Sequence, residues 1–125
     1  MTRRTALVPL VAFAILALAL ARPVVAETTH ELFAEGNARY WQGDIAGAQS
    51  LYHRLVEDFR INNPELYFNL ANSYAQEGRY GSAILYYQRA LKYGPDAATR
   101  EAIEANLSLV RGTLFAAQRE QMAHN

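Results

Sequence analysis

The sequence predicts an all-α fold, a short solenoid of αα-hairpins: two helix–turn–helix repeats, a C-terminal capping helix, and a signal peptide in front of them. Three observations carry this. Two segments align without gaps, "GNARYWQGDIAGAQSLYHRLVEDF" (36–59) and "ANSYAQEGRYGSAILYYQRALKYG" (71–94), with Asn37/Asn72, Gly43/Gly78, Ala48/Ala83 and Tyr52/Tyr87 all 35 residues apart. A period near 34 belongs to a helix hairpin that cannot bury both faces alone and stacks on its copy. Helix-stop and helix-start residues punctuate the chain at Thr28, Gly43-Asp44, Asn63-Pro64, Gly78 and Gly94-Pro95-Asp96. After the last of these, Ile103, Leu107, Val110 and Leu114 recur at spacings of four, three and four, one stripe of a helix.

Each element has a local reason. "MTRRT" supplies positive charge, "ALVPLVAFAILALALA" is an apolar run, and "RPVVAE" places Val24 and Ala26 at the small-residue positions of a cleavage site after Ala26. This is the layout of a secretory signal peptide over residues 1–26. Cleavage after Ala21 and an uncleaved anchor are the alternatives. The run from Ala6 to Ala21 has 16 residues and contains Pro9, short of the roughly 20 that span hydrocarbon. Arg3-Arg4 starts like a twin-arginine signal, but "TAL" follows it poorly. Thr28 and Glu31 read as a capping box before a first helix over about 29–42. Gly43-Asp44 breaks it, and a second helix is expected over about 45–59. Asn63 caps a third helix, to about Glu77, with Pro64 at its first position, where a missing N–H costs nothing. Gly78 ends it and a fourth runs from about Tyr80 to Tyr93. Asp96 caps the fifth, over about 97–120, and the polar tail 122–125 is expected to fray. The repeat domain is thus read as 27–121, with units at 29–62 and 64–97.

Composition excludes several functions. With no cysteine there are no disulfides, thiolate metal sites or cysteine nucleophiles. Net charge is zero and there is no basic block, so the phosphate-neutralising patch that nucleic acid requires is missing. Removal of residues 1–26 takes away Arg3, Arg4 and Arg22, leaving nine Lys/Arg against twelve Asp/Glu, a net charge of −3. The expected compartment of this exported, cysteine-free chain is a bacterial periplasm.

The two units resemble tetratricopeptide repeats (TPR). In the 64–97 unit Tyr67, Leu70, Ala71, Tyr74, Gly78, Tyr80, Ala83, Tyr87, Ala90 and Pro95 stand at the repeat's characteristic positions. The 29–62 unit matches with Leu32, Gly36, Gly43, Ile45, Ala48 and Tyr52 and departs at Glu35, Arg39 and Arg60, with one extra residue near 62–63. In such a pattern small residues sit where helices approach closely and large ones fill the spaces between hairpins. More narrowly, "ELYFNLANSYAQEGRYGSAILYYQRALKYGPD" with Asn106-Leu107 resembles the exported TPR component of bacterial aerotolerance (BatE-type) operons. That resemblance implies partners among inner-membrane von Willebrand A-type proteins and their MoxR-type ATPase system.

No catalytic constellation is visible and no cofactor is expected. His30, His53 and His124 lie far apart; His53 and Glu57 form an i,i+4 pair, read as a solvated surface pair because no second histidine completes a ligand set. "YGSAI" lacks the second glycine of a nucleophile elbow. Gly78, Gly81 and Gly94 are helix-turn glycines with no phosphate-loop spacing.

The TPR resemblance implies a groove lined by the first helix of each hairpin. The inward positions are His30, Phe33, Ala34, Asn37, Tyr40 and Trp41 in one unit and Glu65, Phe68, Asn69, Asn72, Ala75 and Gln76 in the other. Phe33, Asn37, Tyr40, Trp41, Phe68, Asn69, Asn72 and Gln76 are the candidate protein-binding residues. Asparagine can both donate to and accept from an extended peptide backbone, and aromatics are common interface anchors; Phe33 and Phe68 could instead pack between repeats. Phe33 and Thr99 stand where carboxylate-clamp TPRs carry lysines, so chaperone-tail binding is not expected. The expected function is an exported protein-interaction scaffold in a cell-envelope complex. The alternatives are a membrane-tethered element that self-associates through its repeat ends, and a peptidoglycan-binding protein using Trp41 and the tyrosines. Six of the eight tyrosines fall in 67–93. Tyr67, Tyr74, Tyr80 and Tyr87 are assigned to packing, and Tyr86 and Tyr93 are left as the tyrosines free for an outside contact.

Overall fold

The computed structural model describes residues 27–124 as five helices: α1 Thr29–Trp41, α2 Ile45–Glu57, α3 Pro64–Gln76, α4 Tyr80–Lys92 and α5 Ala97–Ala123. The signal-peptide assignment falls outside the described residues.

The helices start where side chains can satisfy their first free N–H groups. Thr28 and Glu31 form a reciprocal capping box on α1. Asp44 accepts from Gly47 N–H on α2, Asn63 from Leu66 N–H on α3, and Asp96 from Thr99 N–H on α5. Only Arg79, before α4, supplies no side-chain cap among these five described helices.

The stops follow from backbone handedness. Gly43, Gly78 and Gly94 all take positive φ, at 85°, 72° and 71°, a conformation open to a residue without Cβ. After α2 the same left-handed turn is made by Arg60, at φ 56°. It folds the chain back so that Ile61 N–H reaches the Leu55 carbonyl at 3.0 Å, which is why α2 ends at Glu57 and not at the expected Phe59. At the other end α5 runs to Ala123, beyond the expected 120. The "REQMA" stretch holds neither glycine nor proline and consists of good helix formers, so nothing local stops the helix.

α1 packs on α2 and α3 on α4, forming two antiparallel hairpins; α2 meets α3, and α5 closes the array against α4 and α3. The backbone of α1 also approaches that of α3, and α3 that of α5, while α2 and α4 do not approach. The array therefore curves, with α1, α3 and α5 along its inner side. Its core is one cluster: Leu32, Ala48, Tyr52 and Leu55 from the first hairpin, Leu66, Leu70, Ala71, Tyr74, Ala83, Tyr87 and Ala90 with Tyr67 from the second, and Ile103, Leu107 and Val110 from α5. These are the periodic positions of the repeat, and burying them removes apolar area from water at roughly 25 cal/mol per Å². Past Val110 the exposed face of α5 widens, and from Phe115 onward every described residue is exposed.

Candidate functional site

The inner side is organised by two copies of one hydrogen-bonded unit. In the first, the Tyr52 hydroxyl donates to Asn37 Oδ1 at 2.7 Å, and Asn69 Nδ2 donates to the same oxygen at 2.9 Å. In the second, the Tyr87 hydroxyl donates to Asn72 Oδ1 at 2.6 Å, and Asn106 Nδ2 donates to that oxygen at 3.0 Å. Each unit ties three helices together: α1, α2 and α3, then α3, α4 and α5. The 15-residue spacing from asparagine to tyrosine is the same in both. Asn106 stands to Asn72 as Asn69 stands to Asn37, so α5 occupies the place of the first helix of a third repeat.

Close packing makes these tyrosines reach. Both rings are 1% exposed, and burial pushes the phenols of Tyr52 and Tyr87 up to about 12. Gly36 lets the Tyr52 ring through: a Cβ at Gly36 would stand 2.7 Å from Tyr52 Cε1. Tyr52 and Phe33 rings tilt against each other at 6.2 Å, and Tyr87 and Phe68 at 6.0 Å.

Above the first unit lies a groove of about 400 Å³ lined by Asn37, Tyr40, Trp41, Tyr52, Glu65, Phe68, Asn69 and Asn72. It gathers six of the eight candidate residues. Phe33 instead packs on Tyr52 and lines a neighbouring depression with His30, Leu55, Ile61 and Leu66. Gln76, on the last turn of α3, is exposed and lies outside the groove lining. Tyr52 and Glu65 are the lining residues absent from the candidate set. Equal asparagine-to-tyrosine spacing in the two units was the available signal for Tyr52, and Glu65's inward position was the signal for Glu65.

The asparagines are partly consumed by the fold. The carbonyl oxygens of Asn37 and Asn72 each accept two internal bonds, so they are not free to grip a peptide, contrary to the expectation for them. Among the described residues no hydrogen bond uses Asn37 Nδ2, Asn72 Nδ2 or Asn69 Oδ1, and no buried polar side-chain atom lacks a partner. Those three groups are therefore within reach of solvent, two donors and one acceptor for a ligand. Trp41 is 84% exposed and stands edge-on to Tyr40 at 5.5 Å.

Four other tyrosines stack on one another across α3 and α4. Tyr93 stacks on Tyr67 at 5.4 Å, Tyr67 on Tyr86 at 6.2 Å, and Tyr86 on Tyr74 at 5.4 Å with planes 2° apart. Arg79 covers Tyr74 and Arg89 covers Tyr86, at 4.7 and 5.1 Å. Tyr86 and Tyr93, left free by the repeat pattern, are thus members of a packed stack. His53 is also more than a solvated residue: its Nε2 is 2.7 Å from the Tyr74 hydroxyl, while Nδ1 is 3.5 Å from Glu57. Among the described residues no three His, Cys, Asp or Glu side chains cluster as a metal site, and no helix is long and apolar enough to cross a membrane.

The family model described as tetratricopeptide repeat matches residues 33–98, a span that holds both hairpins except the first turn of α1. No curated protein matches the chain.

Proposed function

We infer the function from the premise that the chain belongs to the tetratricopeptide repeat family, and propose that it is an exported interaction module of the bacterial cell envelope. Domains of this family typically bind protein or peptide partners and are non-catalytic. The observation that carries the proposal is the single groove shared by Asn37, Tyr40 and Trp41 of α1 and Phe68, Asn69 and Asn72 of α3. It presents two amide donors, one carbonyl acceptor and an exposed indole, the complement of an extended backbone with an anchoring side chain. The resemblance to aerotolerance-operon components supports a narrower reading, in which the partner is an inner-membrane von Willebrand A-type protein served by a MoxR-type ATPase.

A photo-crosslinking residue at position 41 tests the groove in living cells. The expected result is a discrete protein adduct from position 41 and none from Gln88, which is exposed on α4. Equal adducts from both positions would sink the groove. Mass spectrometry of the purified N-terminus tests export: a chain beginning at Glu27 is expected, and an intact Met1 would favour the tethered form.

One observation favours a second reading, self-association through the repeat ends. The overhanging α5 exposes Leu109, Phe115 and Met122 at 71%, 61% and 70%. Sedimentation of the full chain carrying Phe115→Glu and Met122→Glu decides it; an unchanged mass would remove this reading.

A further inference from the structure

We propose that the groove selects a basic partner, an extended protein segment that presents a lysine or arginine to Glu65. This rests on the groove reading above and adds the chemistry of the occupant. Glu65 lies in the first turn of α3, exposed, at the meeting point of three depressions. One is the groove itself. The second holds Phe33 and His30 and the third holds Asp96. No lysine or arginine lines any of the three. Among the described residues Glu65 takes part in no ion pair, so its carboxylate is not already neutralised.

A second carboxylate, that of Asp96, lines the third depression. Asp96 accepts the Thr99 N–H at 2.7 Å, and hydrogen bonding to Thr99 holds its carboxyl below the usual aspartate range. Glu65 thus sets a carboxylate beside the groove's aromatic residues, and Asp96 adds another in the adjoining depression. A lysine or arginine can set its charge at Glu65 and lay its stem along the aromatic wall. The exposed Trp41 ring adds attraction for a cation. An acidic segment meets like charge and unpartnered carboxylates instead, which costs affinity and slows association. The net charge of −3 on residues 27–125 works in the same direction over longer range.

Selection of random octapeptides on the immobilised full chain tests this, and Trp41 supplies the readout because it is the chain's one tryptophan. The expected binders are enriched in lysine and arginine and shift Trp41 emission. Glu65→Gln is expected to weaken them roughly two- to fivefold, the range for an exposed ion pair, and Glu65→Lys to turn the selection toward aspartate and glutamate. Binders that shift Trp41 emission but show no basic enrichment, or that ignore both Glu65 variants, would overturn the charge preference and leave the groove standing. Binders that leave Trp41 emission unchanged, or no binders at all, would overturn the preference and the groove together.

Discussion

The two hairpins are built on one plan and differ most on one face of their first helix. In the second, Leu70 and Tyr74 are buried, and the Tyr74 hydroxyl meets His53 of the first hairpin. At the same places of the first stand Glu35 and Arg39, which pair with each other at 2.6 Å, and Arg39 also reaches Asp44 at 3.3 Å. The mismatch to the repeat is therefore a feature of position. No described helix packs on that outer face of α1, so leucine and tyrosine there would be an exposed apolar patch, whereas an ion-paired polar face closes the end of a stack. The other end is closed differently, by α5 in the slot of a further first helix. The close approach also differs: Gly36 faces Tyr52 where Ala71 faces Tyr87, so the first hairpin has no room for even one methyl.

The tyrosines at the centre of each unit should break this comparison hardest. Tyr87→Ala and Tyr52→Ala are each expected to cost about 3–5 kcal/mol, the range for losing a large buried aromatic. They should differ in what they release. Hydrogen exchange is expected to show protection lost in α1 and α2 for Tyr52→Ala, and through the whole array for Tyr87→Ala, which sits between α3 and α5.

Alkaline pH probes the same pair without mutation. Both phenols are neutral in the folded state up to about 12, against about 10 in the unfolded chain. Below pH 10 both states hold their protons and the stability is fully present. Between 10 and 12 the unfolded state ionises first, so stability falls by about 1.4 kcal/mol per pH unit for each residue. Denaturant titrations across this window should show that slope reduced in Tyr52→Phe and in Tyr87→Phe.

Gly36→Ala comes next, at about 1–3 kcal/mol for overpacking, because the new methyl meets a ring that is buried on all sides. The thermal midpoint should fall, and the Asn37–Asn69 pair should loosen with the displaced hydroxyl. Smaller is the cap difference: Asp44→Ala should cost about 1 kcal/mol by removing the α2 N-cap, while Arg79→Ala, at a cap position with no side-chain bond, should cost less. Smallest, and opposite in sign, is Arg60→Gly. It places glycine in a left-handed turn and is expected to raise stability by roughly 0.5 kcal/mol.

Much of this was legible in the sequence. Thr28 with Glu31, Gly43-Asp44, Asn63-Pro64 and Asp96 marked four of the five helix starts, each through a bond reaching three residues on, as local as chemistry can be. Two ends were not legible. The stop of α2 depends on Arg60 taking a conformation that its residue type disfavours, driven by Ile61 folding back onto the core. The end of α5 is the other: the polarity of its last residues predicts fraying, while backbone propensity alone carries the helix to Ala123. In the site, helix face was readable and side-chain commitment was not: Asn37 and Asn72 face the groove as expected, yet the tyrosines beneath them take their carbonyls.

The sequence by itself determined the all-helical repeat, its helix starts and the face from which a groove would be built, because periodicity and caps act over one or two turns. Tertiary structure alone decided which atoms on that face remain open. Phe33 went to a separate depression, Tyr86 and Tyr93 joined a stack, and Glu65 came to stand at the junction of three hollows. Those outcomes depend on contacts between residues about 12 to 37 positions apart, whose partners are set by how the helices stack, and a single helix carries no record of what its neighbour will occupy.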